Sequence, residues 1–501
     1  MPSVLRHNLS IVLRRDLSAS LVVFLVALPL CVGVAVACGA PAELGLITGI
    51  VGGLIAGPMP GSSLQVSGPS PGPTVLVLEA VREHGLPMLG ALVLAAGVLQ
   101  LVMGLLKLGR WFRAISVSVV QGMLAGIGLV LISGQLFAMA DSAAPGKGPS
   151  NFVGWPRLLL NTVETPQALY AFLTGAGTIA VIVMWKRLPS KVSGLLPAPL
   201  VGVALSTAVV WAFSLPVAKV KVTGLAGAVQ PPGADEFGKL LSPSGLGTVL
   251  AFALIASAES LFSAAAVDRL HHGPRTHYDK ELLAQGLGNT VCGALGALPM
   301  AAVIVRSAAN VQAGARTKAS RVLHGVWLLL FAALLPGVLG VIPLSALAGV
   351  LVHSGWKLLP GREVIRLWQE HRSEAIVLVG TALAIVATDL FKGVLIGLGL
   401  AIVKTAWETS GIHMETEELP VTGDGPVTIR VRVSGNATFL QLPKLLDQLE
   451  ALPSGRAVEL DLTQLRHLDH ACRTALTTWT ERHNTETSLP IHLTPPGSPT
   501  V

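Results

Sequence analysis

What most constrains this chain is how far it runs without a formal charge. Stretches free of Asp, Glu, Lys and Arg cover residues 17–42, 44–78, 84–106, 114–140, 165–185, 192–218, 282–305 and 322–356. An α-helix needs roughly 20 apolar residues to cross about 30 Å of hydrocarbon. Most of these stretches reach that length, and 44–78 and 322–356 are long enough for two segments each. The stretch 246–268 around Glu259, a short segment near 300–314, and the pair 373–390 and 392–410 bring the total to about fourteen. The expected fold class is an all-α polytopic membrane protein. Charged residues make up 13% of the chain, against roughly 25% in soluble proteins. That shortfall excludes a disordered chain and argues against a soluble enzyme.

The remaining charge is informative by its placement. Residues 1–410 hold 28 Lys+Arg and 17 Asp+Glu, whereas residues 411–501 hold 7 and 11. The basic excess follows alternate connections: Arg6, Arg14 and Arg15; Lys107, Arg110 and Arg113; Lys186, Arg187 and Lys191; Arg269, Arg275 and Lys280; Arg316, Lys318 and Arg321; Lys357, Arg362, Arg366 and Arg372. By the positive-inside rule these connections are cytoplasmic, so the number of spans is even and both termini are cytoplasmic, in a cytoplasmic membrane. No basic patch interleaved with aromatics marks a nucleic-acid partner. Arg14-Arg15, the apolar stretch after them and Ala35–Cys38 resemble a signal peptide. The many later spans favour an uncleaved first helix. Cys31, Cys38, Cys292 and Cys472 have no metal-site spacing and read as free thiols.

Two stretches break the apolar pattern. In Gln65–Thr74, prolines at 69, 71 and 73 forbid a continuous helix. A helix can start at Pro71 or Pro73, because first-turn amides need no intrahelical acceptor. In Gly293–Met300, Pro299 falls where a second short helix would start, leading through Ala301 to Asn310. Irregular backbone at membrane depth is tolerated where it is buried in protein or lines a cavity. Two broken helices at matching positions, the third and tenth segments, point to a transporter's midplane site. Their amino-terminal ends favour an anion; absorption of two proline kinks by packing is the plainer alternative.

Ionisable residues inside spans are expensive and mark pathways. Glu259 lies near the middle of its span, and Ser263 shares its helix face. The pair is a candidate for a proton or a sodium ion, the one metal site expected. Arg306, on the short segment after Pro299, either pairs with Glu259 or supplies positive field to an anion. His271, His272, His277 and Asp279 read as solvated loop residues. The chain has no Walker loop, dinucleotide fingerprint or nucleophile–base constellation, so no enzyme activity and no cofactor are expected. After Trp407 the composition becomes that of a small α/β domain, with strands at 427–433, 457–462 and 491–493 and helices at 442–452 and 471–484. The expected organisation is a transmembrane domain over 1–410, a linker over 411–425 and a small domain over 426–495.

The motifs Asp16–Pro41, Val66–Thr74, Ala258–Leu270, Glu281–Asn289 and Pro299–Thr317 together resemble the SulP inorganic anion transporters, and the tail resembles their STAS domain. The resemblance implies a seven-plus-seven inverted repeat with core and gate domains, elevator-like movement and a homodimer. It implies that Ser67, Gly68 and Ser70 form one half of a substrate site, and that Ala302, Val303 and Ile304 offer backbone to the anion beside Arg306. Glu259 and Ser263 match the aspartate and threonine that hold sodium in the cyanobacterial bicarbonate carrier. Ile304 replaces a hydroxyl residue of that carrier, and Leu30 stands where several exchangers carry glutamine. Asp469-His470 replaces the Asp-Ser of bacterial STAS regulators, so phosphorylation there is not expected. The implied function is secondary transport of a small inorganic oxyanion, sulfate or bicarbonate, coupled to H⁺ or Na⁺. Dicarboxylate or nucleobase symport on the same fold, and a membrane-bound sensor or scaffold acting through the tail, are the alternatives.

Overall fold

A computed structural model describes residues 2–110, 116–146, 148–185, 187–189, 196–222, 224–419, 428–452, 457–486 and 491–494. Arg113, Lys186 and Lys191, used above for orientation, and residues 420–425 of the expected linker lie outside the described residues. The chain divides into two compact units, residues 1–398 and 399–501.

The first unit is helical. Its longer helices are α1 (Pro2–Ala37), α2 (Ala42–Val51), α3 (Pro71–His84), α4 (Leu86–Leu105), α5 (Val117–Met139), α6 (Gly148–Glu164), α7 (Pro166–Trp185) and α8 (Ala198–Ala212). They continue as α9 (Pro243–Val267), α10 (Tyr278–Ala294), α11 (Ile304–Gln312), α12 (Ala319–Leu334), α13 (Leu344–Leu358), α14 (Gly361–Glu370) and α15 (Arg372–Ala387). The last, α16 (Leu390–Thr409), leads into the second unit. Among the described residues, 6 helices are long and apolar enough to span a membrane, and Ala42–Ala56, Ala198–Ala212 and Ala319–Leu334 are shorter apolar ones. Several expected segments are helices shorter than 18 residues, such as α13 and α15, and two are broken. Each broken one pairs a short helix with a three-residue strand: β1 (Ser67–Pro69) before α3, and β2 (Met300–Ala302) before α11.

The expected proline start holds for α3, which begins at Pro71 with Ser70 as N-cap. It fails for the tenth segment. Pro299 precedes a strand, and the helix begins only at Ile304. The reason is tertiary. The backbone N–H of Met300 donates to Asn289 Oδ1 at 2.7 Å, that of Ala302 to Ser260 Oγ at 3.0 Å and that of Val303 to the Val66 carbonyl at 3.0 Å. With these donors satisfied from outside, the backbone has no need to close a helical turn there.

Glycine sets the closest helix contact. Positions 90, 97 and 104 of α4 face 286 and 293 of α10; a Cβ on Gly293 would lie 2.1 Å from the Leu94 amide nitrogen, and one on Gly97 2.3 Å from that of Thr290. Only hydrogen fits there, so α10 lies against the α4 backbone. That contact fixes the helix from which several site residues project.

The second unit is a sheet in the order β3-β4-β5-β7, with β6 also paired to β4. Here β3 is Ile412–Glu418, β4 Thr428–Ala437, β5 Ala457–Asp461, β6 Leu465–Leu468 and β7 His492–Thr494. The helices α17 (Leu442–Glu450) and α18 (His470–Glu486) complete it. Along β4, Ile429, Val431 and Val433 are buried with Leu445, Leu460 and Leu476, while Arg430 pairs with Glu459 and Arg432 with Asp461. Strand β3 occupies much of the expected linker, antiparallel to β4 over its whole length. Its run of glutamates suits an edge strand, where charge blocks further pairing.

Candidate functional site

Three alternate prolines shape the first half of the site. A residue before proline is pushed toward extended backbone, so Gly68 lies within β1 ahead of Pro69, and Ser70 is extended ahead of Pro71. It pairs antiparallel with β2: Ser67 faces Ala302, Gly68 faces Ala301 and Pro69 faces Met300. The two broken segments therefore cross through backbone hydrogen bonding, with α3 and α11 leaving the crossing on their own axes. The residues singled out from the sequence, Ser67, Gly68, Ser70, Ala302, Val303, Ile304 and Arg306, all lie at this crossing or in the first turns beyond it. Glu259 and Ser263 on α9 reach it from the side.

The two helix starts are not equivalent. Pro71 and Pro73 have no N–H, and the Gly72 N–H donates to Ser70 Oγ at 3.3 Å. The start of α3 thus keeps its dipole but has almost no free donor. On the other side, the Ala302 and Val303 amides, expected to face an anion, are occupied by Ser260 and Val66. Free donation begins at Ile304, the first residue of α11, whose opening amides have no acceptor within the helix.

Arg306 is fully buried, and its Nη2 donates to the Pro69 carbonyl at 3.0 Å. A Cβ on Gly68 would sit 2.3 Å from Nη1, so glycine at 68 is what lets the guanidinium lie flat against β1. Its Nε and Nη1 have no protein acceptor. Glu259 makes no salt bridge with Arg306. Instead Glu259 Oε1 accepts the Ser70 hydroxyl, and Oε2 is buried without a partner. That carboxylate lies against Gly72, where a Cβ would be 2.3 Å from Oε2. Ser263 does not bond Glu259; its hydroxyl donates to the Ala302 carbonyl at 2.9 Å. Glu259, Ser263 and the Ala302 carbonyl are nonetheless all oxygen donors, the kind a proton or hard monovalent cation takes.

Sequence reasoning missed the residues that hold the crossing in place. Ser260 accepts from Ala302, Ser307 from Val66, and Asn310 donates to the Leu64 carbonyl. From α10, Gln285 bonds Ser67, and Asn289 clamps both the N–H and the carbonyl of Met300. The available signal was a polar residue every fourth position in Glu281–Asn289, inside an apolar run.

A cavity of about 900 Å³ opens beside the crossing. It is lined by Gly33 of α1, Thr74 and Leu78 of α3, Ala251 of α9, Gln135 of α5, Leu347 of α13 and Phe391 of α16. It reaches Thr74, one turn beyond Ser70, and none of the crossing residues line it. Its lining includes Glu79, Glu83, Asp141 and Asp389 against Arg82 and Lys392. Partial burial raises the Asp141 carboxyl above its ordinary range, while the Ala218 N–H, 2.9 Å away, pulls it down.

A profile of the sulfate permease family matches residues 13–381. The bicarbonate transporter BicA of Picosynechococcus sp. is 27% identical over 438 residues, covering 84% of this chain and 74% of its own. The putative sulfate transporter YvdB of Bacillus subtilis is 27% identical over 454 residues, 87% of this chain and 82% of its own. Among solved structures, the transmembrane domain of a cyanobacterium bicarbonate transporter BicA superposes with a TM-score of 0.63 at 25% identity, over 78% of this chain and 97% of that one. The murine Solute Carrier 26 family member A9 anion transporter, in its inward-facing state, gives 0.74 at 15% identity over 96% and 85%. At that identity the likeness is one of fold alone.

Proposed function

The chain belongs to the sulfate permease family, and from that premise we propose that it carries a small inorganic oxyanion, sulfate or bicarbonate, across the cytoplasmic membrane by secondary transport. The observation that carries this reading is the crossing itself. A donor-bearing helix start at Ile304, a second dipole end at Ser70 and a buried guanidinium behind Gly68 converge where irregular backbone lies at membrane depth.

The anion is held by the α11 amides and the Ser67 hydroxyl, in the positive field of Arg306. Glu259 takes the coupling cation, H⁺ or Na⁺, with Ser263 and the Ala302 carbonyl as further oxygen ligands for sodium. Neutralising Glu259 removes a negative charge from the vicinity of the anion, so each ligand favours the other. The body carrying the crossing then moves against the rest of the first unit, exposing the site to the other side. In this reading both termini are cytoplasmic, the tail is a STAS domain on that side and the working particle is a homodimer.

The test is uptake into proteoliposomes of purified protein, with the anion and the cation gradient varied independently. Radiolabelled sulfate or bicarbonate accumulating only under an inward H⁺ or Na⁺ gradient is the expected result. Competition by fumarate or uracil separates dicarboxylate or nucleobase transport. Liposomes that move no anion under any gradient would overturn the carrier reading in favour of a sensor acting through the tail.

A further inference from the structure

Helix α10 presents Glu281, Gln285 and Asn289 one turn apart on one face, and each grips a different part of the crossing. Glu281 Oε2 accepts the Ser62 N–H at 2.8 Å, on the limb descending into β1. Gln285 Nε2 donates to Glu281 Oε1 at 2.8 Å and to Ser67 Oγ at 2.7 Å. Asn289 donates to the Met300 carbonyl at 3.0 Å and accepts its N–H at 2.7 Å. All three side chains are buried.

We infer that Gln285 is a positioning residue that fixes the direction in which Ser67 donates, and so sets affinity for the transported anion; this rests on the reading of Ser67 as a substrate ligand. The argument is one of donors and acceptors. Glu281 accepts the Ser62 N–H on one oxygen and offers the other to Gln285. Gln285 turns its NH₂ toward Glu281, an orientation that leaves its own Oε1 buried without a partner. The second hydrogen of that NH₂ points at Ser67 Oγ. A hydroxyl oxygen that accepts there keeps its own hydrogen for another acceptor. Ser67 is 5% exposed, at the strand position opposite Ala302, so that hydrogen is turned toward the crossing. Glu281 acts one step further back, through Gln285. The site then meets its guest with a hydroxyl locked as a donor, which suits an anion presenting bare oxygen acceptors.

The experiment is exchange of radiolabelled sulfate, and separately bicarbonate, in proteoliposomes, reading KM and maximal rate for Gln285→Met, Gln285→Glu and Ser67→Ala alone and combined. Loss of one hydrogen bond to a charged group costs about tenfold, so Ser67→Ala is expected to raise KM about tenfold. Gln285→Met frees the hydroxyl and is expected to raise KM severalfold with maximal rate kept. Gln285→Glu offers Ser67 an acceptor, reverses its bond and is expected to match Ser67→Ala. In the Ser67→Ala background neither Gln285 change is expected to move KM further. An undiminished Gln285 effect in that background would overturn the inference, as would Gln285→Glu with wild-type KM. Should Gln285→Met fail to fold in a detergent melting assay, the near-isosteric Gln285→Glu decides. An unchanged KM in Ser67→Ala would instead remove Ser67 from the substrate site, defeating the underlying reading.

Discussion

Glu259→Gln is the sharpest perturbation available, because it changes charge and little else. The side chain keeps its size, and the Ser70 hydroxyl can still donate to the amide oxygen at the position of Oε1. What disappears is the ionisable carboxylate that α9 brings to the crossing, whose Oε2 is buried without a partner. One carboxylate holds one monovalent cation per cycle. With the membrane potential held at zero, a tenfold gradient of that cation is worth about 1.4 kcal/mol, which limits anion accumulation to about tenfold. Wild-type proteoliposomes given sulfate and a tenfold H⁺ or Na⁺ gradient are expected to approach that ratio with one of the two cations. Glu259→Gln is expected to equilibrate at a ratio of about one while still exchanging labelled for unlabelled sulfate, since the Ile304 end of the site is untouched. Accumulation to the wild-type ratio in the variant would refute the coupling role. Loss of exchange together with accumulation would refute it differently, by placing Glu259 in the architecture of the anion site.

Three further outcomes follow from the geometry. Gly72→Ala places a methyl where the Glu259 carboxylate lies, 2.3 Å from Oε2; the protein is expected to insert and fold yet lose cation-driven accumulation, as checked in the same liposomes. Ser260→Ala leaves the buried Ala302 N–H without its acceptor, a loss of about 1–3 kcal/mol, read as an earlier thermal transition in detergent. In the second unit, Asp469 is partly desolvated, yet the N–H groups of Cys472 and Phe439 hold its carboxyl below the ordinary range. A depressed carboxyl stabilises the fold above its unfolded pKa of about 3.9, and that contribution is lost as pH falls through the lower, folded value. Hydrogen-exchange protection factors over His470–Glu486 in the full chain are expected to fall in acid, and Asp469→Asn to flatten that dependence.

What could be read from the sequence divides along a physical line. Charge-free length marks the long apolar helices, because the hydrocarbon thickness demands it. Pro71 marks the start of α3, because proline at the first helical position acts through its own ring and its own missing N–H. Pro299 misleads for the converse reason: whether residues 300–303 coil or extend depends on Asn289, Ser260 and Val66, remote in sequence and supplied only by the fold. The strand pairing of Ser67 with Ala302 leaves no local trace at three residues a side. Strand β3 hides for a similar reason, since Glu415, Glu417 and Glu418 read as solvated linker until β4 pairs with them. Glu259 was legible as a deep charge, yet its partner was not. Arg306 was the obvious counterion, and the structure gives the place to Ser70.

The cross-ties bear on how such a site can alternate. A bound guest could in principle be released by parting the two broken segments. Here that would break the β1–β2 pairing, the Val303–Val66 bond, the Arg306–Pro69 bond and the Asn310–Leu64 bond together. Each buried group left unpaired costs about 1–3 kcal/mol, so parting would cost more than a bound small anion can return. The Gln65 amide, which donates to the Ser260 carbonyl at 2.7 Å, ties α9 into the same body. The yielding surface is elsewhere. Where α1 meets α13, Gly33 lies against Leu347 and Leu351, small or apolar groups that can slide without leaving a donor or acceptor unmet. In the proposed transport cycle, hydrogen bonding thus favours movement of the crossing as one piece, with both halves of the site intact throughout.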